Sequence, residues 1–100
     1  MQIIIQSPDV TITDALTKFI NAKIGRLEHL YDRIEKAEVF LKIEKSGSDE
    51  VKVCEIRLVI PGNDLFVKKE EETFEAAVSK ANDALRGEID KMKTKFQNQQ

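Results

Sequence analysis

Tryptophan is absent from this chain of 100 residues, and cysteine, histidine and tyrosine occur once each. A single thiol, Cys54, excludes an internal disulfide and a cysteine-based zinc cluster, and reads as a small apolar residue in a strand core. The one histidine, His29, has no second His or Cys with which to share a metal, and helical spacing puts it on a solvent side. Neither GxGxxG nor GxxxxGK[ST] occurs, and the carboxylates are interspersed with lysines on what read as helix surfaces. No nucleophile with its base or pair of acids in a pocket is evident, so the chain is expected not to be an enzyme and to need no cofactor or small-molecule substrate. No run of 18 apolar residues is present, and the start MQIIIQSPDV lacks the basic and long apolar regions of a signal peptide. A soluble cytoplasmic protein with no membrane partner is expected.

What the chain does have is charge, and it is sorted. Charged residues make up 34% of the sequence and the formal net charge is -2, an average that argues against nucleic acid. Between Asp64 and Glu75, however, five acids face only Lys68 and Lys69, whereas from Arg86 onward Arg86, Lys91, Lys93 and Lys95 outnumber Glu88 and Asp90. A local patch, not the average, steers a partner.

The hydrophobic pattern alternates between two periods. Ile3, Ile4 and Ile5 form a short β-branched strand ended by Ser7, Pro8 and Asp9. Thr11 and Thr13 offer N-cap oxygens to a helix predicted from Thr13 to Arg33, in which Leu16, Ile20, Ile24, Leu27 and Tyr31 make the core-facing stripe. Gly25 inside it costs roughly 1 kcal/mol relative to Ala, and a close approach by another backbone would account for it. After Ile34 the period becomes 2: Val39, Leu41 and Ile43 share one face of a strand, and Cys54, Ile56, Leu58 and Ile60 share one face of the next. SGSDE at 46–50 is a turn, Pro61-Gly62 spells a type II turn, and LFVKK is a third meander strand. Thr73 caps a last helix whose stripe is Phe74, Val78, Ala81, Leu85, Ile89, Met92 and Phe96.

The order predicts an α+β two-layer sandwich, β-α-β-β-β-α, with both helices on one face of a four-stranded mixed sheet whose first two strands are parallel. Residues 1–96 form one domain and 97–100 a polar tail. On the first helix Lys23 and Arg26 lie on a basic flank with Arg33, opposite Glu28, Asp32 and Asp14. On the last helix Arg86 and Lys93 lie on one side of the stripe, and Lys91, Lys95 and Lys80 on the other. Side-by-side helices can bring these cations together into a surface that holds folded RNA by phosphate and shape. Aromatics for base stacking are few; Phe40 and Phe66 fall on the open sheet face.

The helix with its exit LTKFINAKIGRLEHLYDRI, the strand AEVFLKIEK, the segment EIRLVIPGNDLFVKKEEETFEAAV and the K-x-K-x-K of Lys91, Lys93 and Lys95 resemble the short ribosome hibernation promoting factors. These are also called ribosome-associated inhibitors or sigma modulation proteins. The resemblance covers essentially the whole chain and implies a fold like that of double-stranded RNA-binding domains. It implies as partner the small ribosomal subunit, with its 16S rRNA and ribosomal proteins, bound in the channel near the decoding centre where mRNA and tRNA are then excluded. By position it assigns RNA binding to Lys23, Arg26, Lys91, Lys93 and Lys95, with Arg86 close to a further family position. It also implies a monomer that favours pairing of ribosomes indirectly. Gly87, Glu88 and Asp90 stand where many relatives are more basic, and Met92 where an aromatic or histidine is common, which dilutes the cationic tip. The alternative is a protein-interaction module that modulates a sigma factor through the open sheet face, with Ile4, Phe40, Val59 and Phe66 as its apolar contacts.

Overall fold

In the computed structural model residues 1–98 are described, with side chains as far as Lys95. The order is β1 (Gln2–Gln6), α1 (Asp14–Gly25), β2 (Lys36–Ser46), β3 (Asp49–Val59), β4 (Leu65–Glu71) and α2 (Phe74–Asn98). The sheet runs β1-β2-β3-β4, with β1 parallel to β2 and the other pairs antiparallel. This is the α+β sandwich expected from the two periodicities. The helix stripes and one sheet face meet in a single core containing Leu16, Ile20, Ile24, Val39, Leu41, Ile56, Leu58, Leu85 and Ile89. Each such side chain contributes about 1.5–3 kcal/mol through its removal from water.

Local chemistry sets the element ends. Thr13 Oγ1 accepts from Leu16 N at 3.1 Å, and Thr73 Oγ1 accepts from Ala76 N at 3.1 Å, so both predicted helix caps form. The hairpin between β2 and β3 is tighter than the predicted turn at 46–50: Ser46 pairs with Asp49, leaving only Gly47 and Ser48 between the strands. Gly47 has φ 67° and Ser48 does not have positive φ, the pattern of a type II′ hairpin turn.

The first helix is shorter than its apolar spacing predicts. It ends at Gly25, and Arg26–His29 continue as a 3-10 turn. Leu27 stays fully buried and Leu30 and Tyr31 pack on the core from outside the helix. Glycine is a poor propagator, and tightening to i→i+3 bonds lets the chain turn back toward β2 without unburying Leu27. No neighbouring backbone explains Gly25. A Cβ there would meet only the Ile3 Cδ1 atom, at 3.9 Å, and the residue has φ -58°. Gly25→Ala is therefore expected to raise stability by about 0.4–1 kcal/mol, through a less flexible unfolded chain and better helix propensity. Urea unfolding with an unchanged m value is the measurement.

α2 runs on to Asn98, into the segment predicted as tail, and residues 99 and 100 lie outside the described residues. The same holds for the side chain of Phe96, the last position of the predicted stripe. Two buried positions on α2 fall outside that stripe, Ala77 and Asn82. Cys54 is fully buried, and burial, with Glu55 beside it, pushes its thiol up to about 12. It is the small core residue that its place in the alternation suggested.

The reversal after β3 is the predicted type II turn. Asn63 N donates to Ile60 O at 3.0 Å, and Gly62 has φ 81°. Asp64 clamps it: Oδ2 accepts from Arg57 Nη2 at 2.7 Å and Nε at 3.2 Å, and Oδ1 accepts from Ile60 N at 3.0 Å. These bonds, the Arg57 bond foremost, hold the Asp64 carboxyl below its ordinary range. A carboxyl lowered on folding stabilises fully above its unfolded value near 4, and that contribution is lost as pH falls through the folded value. Asp64→Asn is expected to lower the melting temperature at pH 7, with the gap from the parent closing below about pH 4. Thermal melts at both pH values check it.

Candidate nucleic-acid interface

Each helix ends in basic residues, and the topology decides where those ends lie. α1 crosses back between two parallel strands, so it runs antiparallel to β1 and β2. β4 is parallel to β2, and α2 returns from its end over β3 and β4. Both helices therefore finish at the end of the sheet where β1 and β2 begin. α2, at 25 residues, spans about 37 Å, whereas the seven residues of β4 span about 23 Å. Its last turns project past the sheet, and the molecule is 51 Å long.

The predicted cations take distinct positions in this frame. Lys23 is in the last turn of α1, half-buried, with Nζ 5.9 Å from the centre of the Phe19 ring. The ring face attracts the ammonium and the stem packs along apolar surface, as its place at the edge of the stripe suggested. Arg26 opens the 3-10 turn and Arg33 sits in the loop before β2; both are exposed. Neither is on α1 itself, so the predicted continuous basic flank is a helix end, a turn and a loop. Arg86 is exposed midway along α2. Lys91, Lys93 and Lys95 occupy the projecting turns, with Lys93 half-buried and the other two exposed. The negative end of the α2 dipole favours cations there.

Thus Lys23, Arg26, Arg33, Lys91, Lys93 and Lys95 come to one end of the sandwich, and Arg86 stands above them. Lys36, the first residue of β2, joins the same end. The sequence pattern passed over it because it precedes the alternation. Acids are present as well, but two are engaged: Glu28 accepts from the Met1 ammonium at 2.9 Å, and Glu88 lies 3.6 Å from Lys91. The hydrogen bond from that ammonium holds the Glu28 carboxyl below its ordinary range.

Pairing separates the two faces of the protein. On the open sheet face three of the four cations are held by carboxylates: Lys42 by Glu44 (3.0 Å) and Glu55 (3.4 Å), Lys68 by Glu44 (3.6 Å) and Glu70 (3.9 Å), and Arg57 by Asp64 (2.7 Å) and Glu38 (3.4 Å); the fourth, Lys36, sits at the edge of that face where β2 begins. Among the described residues, Lys23, Arg26, Arg33, Arg86, Lys93 and Lys95 form no ion pair within 4.0 Å, whereas Lys91 has only its exposed contact with Glu88. A cation free of carboxylates is the one available to phosphate. Among those residues, too, no group of three or more His, Cys, Asp or Glu is arranged to hold a metal ion, and no helix is long and apolar enough to cross a membrane. His29 is exposed, as its angular position predicted.

Residues 3–97 match the family described as sigma 54 modulation protein / S30EA ribosomal protein. The chain is 32% identical over 96 residues to a ribosome hibernation promoting factor of Escherichia coli, covering 96% of this chain and 97% of the relative. It is 33% identical over 97 residues to one of Pseudomonas putida, covering 97% and 91%. Among solved structures, a ribosomal subunit interface protein from Coxiella burnetii superposes with TM-score 0.84 at 21% identity, covering 94% of this chain and 99% of that one. The N-terminal domain of Thermus thermophilus Protein Y gives TM-score 0.75 at 26% identity, covering 92% and 99%.

Proposed function

The chain belongs to the sigma 54 modulation protein / S30EA ribosomal protein family, and on that premise we propose that it is a ribosome hibernation factor. It acts in the cytoplasm by occupying the mRNA and tRNA channel of the small ribosomal subunit near the decoding centre, and it silences translation without breaking a bond. One observation carries the reading: Lys23, Arg26, Arg33, Lys93 and Lys95, none in an ion pair within 4.0 Å among the described residues, lie together at one end of the sandwich, whereas Lys42, Arg57 and Lys68 on the sheet face are held by carboxylates. Lys23, Arg26, Arg33, Arg86, Lys91, Lys93 and Lys95 hold rRNA phosphates there, with Lys36 as an addition. The tip is less cationic than a run of lysines alone, because Glu88 and Asp90 intervene, so binding is weaker, while the phosphate contacts of the remaining cations keep it salt-sensitive. The protein binds as a monomer and favours ribosome pairing only through the silenced subunit.

Competition tests this directly. Purified protein is expected to co-sediment with purified small subunits at low salt, to leave them at high salt, and to prevent tRNA binding to subunits carrying mRNA. Binding with undiminished tRNA occupancy would place the protein outside the channel. A pull-down that survives both nuclease and high salt would instead favour the sigma-factor module.

A further inference from the structure

The sheet face opposite the helices has its own character. The strand register puts Phe40 on β2, Glu55 and Arg57 on β3, and Phe66 and Lys68 on β4 onto this face. Phe66 stands directly opposite Arg57 and is 62% exposed, one of two large apolar side chains left so open among the described residues. A shallow hollow of about 450 Å3 is lined by Glu38, Phe40, Lys42, Glu55, Arg57 and Phe66. Aromatic side chains with an arginine between them are the composition of a protein-binding centre.

The charge on this face decides between partners. Its cations are Lys42, Lys68 and Arg57, each within reach of two carboxylates, with Lys36 at its edge, and the five carboxylates Glu38, Glu44, Glu55, Asp64 and Glu70 outnumber these four. A nucleotide stacked on Phe66 would bring its phosphate among carboxylates, where the cations beside the ring, Arg57 and Lys68, are already engaged and only Lys36 at the edge of the face is outside an ion pair. A protein segment carrying lysine or arginine beside an apolar anchor meets both features: its cations take up the carboxylates in excess, and its anchor fills the hollow between the two phenylalanines.

We propose that the open sheet face docks a basic protein segment, so that the bound chain is held between rRNA at its helix end and a lysine- or arginine-rich ribosomal protein segment at its sheet. This rests on the ribosome reading above. The test is site-specific photo-crosslinking on purified small subunits, with Phe66→p-benzoylphenylalanine and Lys93→p-benzoylphenylalanine made separately; both positions are exposed or half-buried and neither replacement enters the core. The expected result is a ribonuclease-resistant crosslink from position 66 to a basic stretch of ribosomal protein, and a crosslink from position 93 to rRNA. A crosslink from position 66 to rRNA or to an acidic protein segment overturns the proposal, as does its absence where position 93 reacts. Loss of co-sedimentation by the parent chain would instead overturn the ribosome reading itself.

Discussion

Replacing Lys23, Arg26, Lys91 and Lys93 together by alanine is expected to weaken binding to purified small subunits by about a thousandfold near 0.1 M salt, and to lower the slope of log K against log salt by about 3. Each phosphate contact contributes between about 0.7 and 0.9 to that slope, so four contacts give both figures. The slope is the diagnostic quantity, because a variant damaged in folding loses affinity at every salt concentration without changing how steeply it falls. Three of the four side chains carry no carboxylate partner within 4.0 Å among the described residues, and Lys91 exchanges an exposed pair worth a few tenths of a kcal/mol for a phosphate. Fold is preserved in this variant, since none of the four belongs to the core. Sedimentation across a salt series measures both quantities. An unchanged slope would move the RNA contacts to other residues.

Leu85→Ala is expected to cost about 3 kcal/mol, in the middle of the range for leucine truncation in a packed core. Leu85 is fully buried, midway along α2, in the cluster that joins both helices to the sheet. α2 holds to the sheet through a narrow line of Val78, Ala81, Leu85, Ile89 and Met92, so the site has little material with which to refill the gap. For a domain of this size the loss corresponds to a fall in melting temperature of about 12–24 °C, read by calorimetry or circular dichroism. A fall of less than about 3 °C would mean that α2 shifts to close the cavity.

The elements were legible because each announces itself twice. The strands show alternation and are bounded by turn chemistry at Gly47 and Pro61-Gly62; the helices show a stripe and a threonine cap. The end of α1 was not legible. Leu27 and Tyr31 follow at spacings of three and four, which a 3-10 turn and a folded-back loop satisfy as well as a helix does. Val53 also escaped the pattern: it lies on the polar face of β3 yet is fully buried, on a central strand between the long side chains of its cross-strand partners Lys42 and Glu70. As to the candidate site, the cations themselves stand out in sequence. Their sorting into free and carboxylate-held sets depends in part on strand pairing, which brings Glu38 to Arg57, Glu55 to Lys42 and Glu44 to Lys68, and no single-strand pattern contains those cross-strand contacts.

The pairing of β1 has a consequence in time. Ile3 pairs with Ala37 across the whole of α1, whereas Ser46 pairs with Asp49 at a two-residue turn and β4 follows β3 after a short reversal. Closing a longer loop takes more chain entropy before any contact repays it, so the β2-β3-β4 meander with α2 is expected to assemble first and β1 to be zipped on last, once α1 has crossed over. β1 is also an edge strand held from one side, and it is expected to be the first to leave. Amide exchange under native conditions is therefore expected to be fastest, among the sheet strands, at Ile3, Ile4 and Ile5, and substitutions there to speed unfolding while leaving the refolding rate almost unchanged.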